Sequence, residues 1–132
     1  MSGGTVTRST AEDFCVSLSA GRSDRALRLL APDVTWWVGG SVPGLSGSRH
    51  GAEVHDMLRR VLDGTTDGAL SIEPWAWTVD GERAALEARV VANLRDARTY
   101  DNEYHFLFIV RDGLIGHVRA YLDTEVLRAV FR

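Results

Sequence analysis

The hydrophobic period of this chain changes near Leu70 from that of a helix to that of a strand, and the switch limits what it can fold into. Before it, Ala11, Phe14, Cys15 and Leu18 fall at i, i+3, i+4 and i+7, behind Thr10 as a cap and with Glu12 and Asp13 at the positive end of the dipole. Gly21 stops this helix. Asp24 opens a second, short helix with Ala26, Leu29 and Leu30 on one side, which Pro32 ends, and the two helices form a hairpin. Val34 to Val38 reads as a strand and Gly39 to Gly51 as a mobile loop. A third helix carries Val54, Met57, Leu58 and Val61 and ends near Gly64. From Leu70 to Asp123 the turn signals Asp80-Gly81 and Asp112-Gly113 punctuate four consecutive antiparallel strands, and Thr124 to Phe131 adds a last helical turn or two. Helices first and a meander afterwards is an α+β order. It predicts a cone-shaped, curved antiparallel sheet, or half-barrel, covered by three N-terminal helices with a pocket at its open end.

The chain's 132 residues suit one domain, with 1–9 read as a flexible N-terminus and 10–132 as the domain. A formal net charge of −3 lacks the basic excess that phosphate neutralisation needs, so no nucleic-acid partner is expected. No run of eighteen apolar residues occurs, so no membrane partner is expected and the cytoplasm is the default compartment. All fifteen basic residues are Arg, which reads as the codon bias of a GC-rich bacterial genome. Cys15 is alone and sits in a helical apolar pattern, as a small buried hydrophobe does. No His or Cys spacing suits zinc, no Gly-rich turn cradles phosphate and no nucleophile elbow occurs, which leaves cofactor-independent chemistry and no metal.

Strand faces follow from turn register. A two-residue turn at Asp112-Gly113 pairs Arg111 with Leu114, which sets His105 opposite Ala120, Leu107 opposite Val118 and Glu103 opposite Leu122. The other face then holds Asn102 opposite Asp123, Tyr104 opposite Tyr121 and Phe106 opposite Arg119. A single slip of register exchanges the faces. The same logic at Asp80-Gly81 groups Trp75, Trp77, Ala84, Leu86, Ala88 and Val90 on one side, and Glu87 and Arg89 on the other. The turn around Arg95 to Arg98 joins the two hairpins: an odd loop puts Glu87 and Arg89 on the face of His105, an even loop on that of Tyr104 and Phe106.

The stretches Phe14 to Gly21, Leu29-Leu30-Ala31-Pro32-Asp33-Val34, Trp36, Gly51 and above all Tyr100 to Thr124 resemble the SnoaL-like proteins of the nuclear-transport-factor-2-like superfamily over nearly the whole chain. The resemblance implies that the concave sheet face lines a pocket, with His105, Leu107, Val118, Ala120 and Leu122 on it and Phe14 and Trp36 contributing from the first helix and first strand. It also implies a homodimer through the sheet. Glu87 and Arg89 lie where limonene epoxide hydrolases place an Arg and an Asp two residues apart, with the identities reversed. Ketosteroid isomerases carry Tyr, Asp and Asp at positions that here hold Phe14, Trp36 and His105, which excludes their chemistry. Ala120 stands where many relatives have an acid.

The function expected from this resemblance is a cyclase or isomerase of an apolar, oxygenated, polyketide-like substrate, working by general acid-base catalysis. His105 would move the proton, Glu87 would orient it or act as base, and Arg89 would stabilise an oxyanion. One alternative is an epoxide hydrolase or epoxide-opening cyclase. Another is a non-catalytic small-molecule-binding protein or a dimeric assembly module. Asn102, Tyr104, Tyr121 and Asp123 form a polar, aromatic set read mainly as structural.

Overall fold

Helix α1 begins a full two turns before the Thr10 cap signal. In the computed structural model, which describes residues 3–131, it runs over Gly3–Ser19, so the residues read as a flexible N-terminus are helical from Gly3 onward and only Met1 and Ser2 of them lie outside the described residues. Tertiary contact supports the extension: Thr7 is buried and its Oγ1 donates to the Gly81 carbonyl at 2.7 Å, while the Arg8 guanidinium sits 5.8 Å from the Trp77 ring centroid. Ala11, Phe14, Cys15 and Leu18 are all buried, as their spacing predicts. Helix α2 (Ser23–Arg28) folds back as the second arm of the hairpin, tied to α1 by a bidentate Arg25–Asp13 pair at 2.7 and 3.0 Å.

Strand β1 spans Leu30–Val38 and thus starts four residues before Val34. Pro32 lies inside it at an interruption of the ladder, between the paired residues Leu30 and Thr35, where its missing N–H breaks no bond. The loop read as wholly irregular contains a short strand β2 (Gly47–His50) that pairs antiparallel with β1. Helix α3 (Ala52–Asp63) buries Val54, Leu58 and Leu62. The meander follows as β3 (Ser71–Asp80), β4 (Arg83–Asn93), β5 (Thr99–Arg111) and β6 (Leu114–Leu122), and α4 (Thr124–Phe131) completes the chain.

These strands form one curved, unclosed, six-stranded sheet in the order β2-β1-β6-β5-β4-β3, antiparallel except for the parallel pair β1 and β6. Helices α1 and α3 cover its concave face. Three alanines on the inner face of β4, Ala84, Ala88 and Ala92, leave room for α1 to approach, while β5 supplies bulk with Tyr100, Phe106 and Phe108. No helix among the described residues is long and apolar enough to cross a membrane.

The register holds the main correction. Arg111 pairs with Leu114 and Val110 with Ile115, as a two-residue turn requires, and Asp112 and Gly113 both adopt positive φ, as a type I′ turn does. Beyond that point Ile109 pairs with His117, so Gly116 is an extra residue on β6: a β-bulge. From there His105 faces Tyr121, Phe106 faces Ala120 and Phe108 faces Val118. The slip moves Val118, Ala120 and Leu122 onto the face of Tyr104, Phe106 and Phe108, and leaves His105 and Leu107 on the convex side with Arg119 and Tyr121. The join between β4 and β5 is odd, with Asn93 opposite Thr99 and Glu87 opposite His105. Glu87 and Arg89 therefore do share a face with His105, and it is the outer one. A second bulge between Pro74 and Ala76 separates the two Trp residues of β3: Trp77 packs on Phe108, and Trp75 is exposed.

Candidate functional site

A cavity of about 140 Å³ lies between the concave sheet, α3 and α4. It exists because small and large residues are unevenly placed: Ala120 pairs with Phe106 on one side and Val38 on the other, so β6 contributes only a methyl group where β5 contributes a ring. Trp36 and Val38 of β1 form one wall, Tyr100, Tyr104 and Phe106 of β5 the opposite one, and Ala120 and Leu122 the floor. Met57, Leu58 and Val61 close it from α3, and Leu127 and Phe131 from α4. The volume is below the roughly 300–1,000 Å³ of a drug-sized pocket. It is close to the ~150 Å³ of an engineered cavity that accepts benzene.

Polar groups enter this apolar chamber at two places. One is Arg49 of β2, which stands opposite Trp36 in the ladder; its guanidinium donates to the carbonyls of Leu45 and Gly44 at 3.1 and 3.0 Å. The other is a chain of hydrogen bonds along the inner face of β5. Asn102 is buried, and its Oδ1 accepts from the backbone N–H groups of Glu103 and Asp123 at 2.8 and 3.3 Å. Its amide nitrogen is therefore the donor, to Tyr100 Oη at 2.7 Å and to the Asp123 carbonyl at 3.0 Å. Tyr100 Oη and Tyr104 Oη lie 2.8 Å apart, and either can donate. Since Asn102 already donates to Tyr100 Oη, Tyr100 can give its own proton to Tyr104, which leaves the Tyr104 proton for a ligand in the chamber.

Tyr104 is suited to donate a hydrogen bond and unsuited to ionise. Desolvation first, and the neighbouring Tyr100 second, push its pKa well above the ordinary value of 10.0. Tyr100 shifts the same way, mainly through burial, against the opposing effect of its bonds to Tyr104 and Asn102. Both phenols are neutral at physiological pH. Cys15, outside the chamber, is pushed up to about 12 by burial and then by the Glu12 charge, so it is a buried thiol and no nucleophile.

The acid-base set expected from the sequence is elsewhere. His105, Glu87 and Arg89 are exposed on the convex face, across the sheet from the chamber, and the Gly116 bulge on β6 is what leaves Ala120 and Leu122 on the opposite face from His105. Arg89 is engaged there by Asp101 through two bonds of 3.0 and 2.7 Å, with Glu73 at 3.7 Å; its partner is not Glu87. Of the expected pocket residues, Trp36, Ala120 and Leu122 line the chamber. Leu107 lies outside, beside His105 and Tyr121. Phe14 and Val118 are fully buried and belong to the packed core behind the wall: the Phe14 ring is 6.1 Å from Trp36 and 6.0 Å from Phe108. Trp37, next along β1 from Trp36, points to the convex face, where the Arg119 guanidinium lies 3.9 Å from its ring centroid.

Tyr100, Asn102 and Arg49 were the residues absent from the expected site, and Tyr104 was assigned to packing. The three of these four that lie on β5, Tyr100, Asn102 and Tyr104, alternate strictly with charged residues in Tyr-Asp-Asn-Glu-Tyr, which is the signal that they share an inward face. Among the described residues no group of His, Cys, Asp or Glu could hold a metal ion.

The sequence pattern of the SnoaL-like domain matches residues 11–118. Solved structures agree in fold. A nuclear-transport-factor-2-like protein from Burkholderia xenovorans superposes with a TM-score of 0.75 at 22% identity, covering 98% of each chain. TerC, co-crystallised with polyporic acid, gives 0.79 at 17% identity over 95% of this chain and 97% of its own. PrhC from Penicillium brasilianum gives 0.82 at 14% identity over 96% and 86%. No curated protein is similar enough in sequence to match. The cone-shaped sheet, the chamber at its open end and a family match over more than half of the residues place this chain in the SnoaL-like family of the nuclear-transport-factor-2-like fold.

Proposed function

We propose that the chamber takes one compact, mostly apolar, oxygen-bearing molecule and promotes its isomerisation or cyclisation by hydrogen-bonding that oxygen from Tyr104. The observation that carries this reading is the Asn102–Tyr100–Tyr104 relay, which ends on a neutral phenol in an otherwise apolar wall. A fixed donor among apolar side chains favours a state in which negative charge grows on the acceptor oxygen, as in enolisation, where the α-proton would pass to water or a buffer base entering from solvent because no side-chain base lines the chamber among the described residues. The reaction class follows the family; the electrophile follows the geometry. Epoxide hydrolysis is not favoured, because no carboxylate or His lines the chamber among the described residues. That same feature supports a second reading, a non-catalytic carrier.

Acetophenone and ethylbenzene, which differ chiefly in the oxygen, test the relay. Calorimetry is expected to show tighter binding of acetophenone, and Tyr104→Phe to weaken it by about tenfold, the worth of one buried hydrogen bond. Equal affinity for the two compounds in the unaltered protein would sink the proposal. Deuterium exchange at the acetophenone methyl, followed by nuclear magnetic resonance, separates catalyst from carrier: acceleration lost in Tyr104→Phe supports catalysis, and binding without acceleration leaves the carrier.

A homodimer through the convex face is part of the same proposal. Trp37, Arg119 and Tyr121 form a stacked polar and aromatic patch there, with Arg119 Nε donating to Tyr121 Oη at 2.8 Å. Light scattering is expected to give twice the chain mass of 14.5 kDa, and Tyr121→Asp to lower it toward one chain. A monomer at all accessible concentrations would remove the dimer.

A further inference from the structure

The chamber opens into a broader groove of about 520 Å³, and the two share Leu45, Arg49, Met57, Val61 and Phe131 as a common rim. The groove is basic. Arg49, Arg60, Arg95 and Arg98 line it, and Asp96 is the one acidic residue that does, in a chain whose formal net charge is −3. The single carboxylate is already used, since Arg98 binds Asp96 at 2.7 and 2.9 Å.

The other three guanidiniums have no ion-pair partner among the described residues. Arg49 donates only to the carbonyls of Leu45 and Gly44, and Arg95 Nε only to the Asp63 carbonyl at 2.7 Å. Carbonyls orient a guanidinium without neutralising it. The Arg60 guanidinium on α3 has no hydrogen bond or ion pair among the described residues, and the carboxylates of Asp56 and Asp63 on the same helix do not reach it. Like charges gathered in one concavity raise each other's energy and the local concentration of anions. Placed at the exit of an apolar chamber, they select for a molecule with an apolar end and an anionic end.

We infer that the ligand is an amphiphilic organic acid whose apolar ring fills the chamber and whose anionic group emerges at Arg49, within reach of the Arg60 and Arg95 charges. The size argument agrees: the chamber admits a single ring, so the rest of any larger ligand must lie in the groove. Arg49 is the pivot because it lines both spaces. Guanidinium suits the task, having a planar fork that matches a carboxylate and a weaker hydration shell than ammonium.

This inference rests on the small-molecule reading above, and its test is chosen to fail separately. Benzoate, phenylacetate and 3-phenylpropionate are each compared with the corresponding amide by calorimetry on the full chain. At least one acid should bind about tenfold or more tightly than its amide, the worth of a hydrogen bond to a charged group. Raising the salt concentration should narrow that ratio. Arg49→Gln should bring it toward one. Because Arg49 also holds the loop carbonyls of Gly44 and Leu45, Arg60→Gln serves as the second variant; it breaks no bond among the described residues and should reduce the ratio by a smaller factor. Acids binding no better than amides, while acetophenone and the amides bind, would overturn the anionic head and leave the chamber reading intact. No binding by acids, amides or acetophenone would overturn both.

Discussion

Replacing Phe108 with Ala is expected to cost about 3–5 kcal/mol of stability, whereas replacing His105, three positions earlier on the same strand, should change it by no more than ~0.5 kcal/mol. Phe108 is fully buried, and its ring lies 6.0 Å from Phe14, 5.4 Å from Phe106 and 6.3 Å from Trp77. Truncation would remove the residue that joins α1, β3 and β5, and leave a hole that fully packed neighbours cannot collapse to fill. A domain of this size has only about 5–15 kcal/mol to lose, so the variant should sit near the threshold of folding. Urea titration checks it: the midpoint should fall with little change in slope. His105 is exposed and makes a single ring contact, with Tyr121 at 6.3 Å. The comparison also tests the Gly116 bulge. If His105→Ala proved the costly change and Phe108→Ala the mild one, the register of β5 against β6 would be the one a simple two-residue turn dictates, and the chamber would be lined by the other set of side chains.

Element type was legible in this chain because each segment repeats its own period several times. Ala11, Phe14, Cys15 and Leu18 on α1, and Val54 and Leu58 on α3, are buried as their spacing requires. The paired positive-φ residues Asp112 and Gly113 mark the last hairpin correctly. What decided the site was not periodic. Gly116 adds one residue to β6, and since side chains alternate, one residue is enough to exchange faces over the rest of the strand. A bulge forms where the ladder must bend to follow the sheet, which depends on strands distant in sequence. The pocket residues of β6 were therefore identified on the right element, and those of β5 on the wrong side of it. The pairing of Glu87 with His105 was foreseen as the odd-loop alternative, but nothing in a hairpin reveals which of its faces the helices will cover. Strand β2 escaped notice for another reason. Its Gly-Ser-Arg-His has no apolar alternation, and it is a strand because β1 offers it an edge.

The largest effect on the site itself is expected from Asn102→Leu, which keeps the side-chain shape and removes every polar atom. Asn102 joins two structures. Its amide group accepts the Asp123 N–H and donates to the Asp123 carbonyl, fixing the turn from β6 into α4, and it donates to Tyr100, fixing the start of the phenol relay. Asp123 in turn caps α4, with its Oδ1 accepting from the Glu125 N–H at 3.0 Å. Helix α4 supplies Leu127 and Phe131 to the chamber, and the Phe131 ring meets Tyr100 at 4.8 Å. With Leu at this position the Asp123 backbone groups, the Glu103 N–H and Tyr100 Oη would lose their partner together. Leaving a buried donor or acceptor unmade costs about 1–3 kcal/mol, and water can reach part of this cluster, so a loss of roughly 2–4 kcal/mol is expected. Function should suffer beyond what stability accounts for. Tyr100 would be free to receive from Tyr104 instead of donating to it, and the Tyr104 proton would then turn away from the chamber. Hydrogen exchange of the α4 amides should rise in this variant, and acetophenone affinity should fall even under conditions where the fold is fully populated. Tyr100→Phe should reproduce the loss of affinity while leaving α4 protected, because it breaks the relay and spares the Asp123 bonds. Equal effects of the two variants on α4 would mean that the helix is held by the Tyr100–Phe131 contact rather than by Asn102.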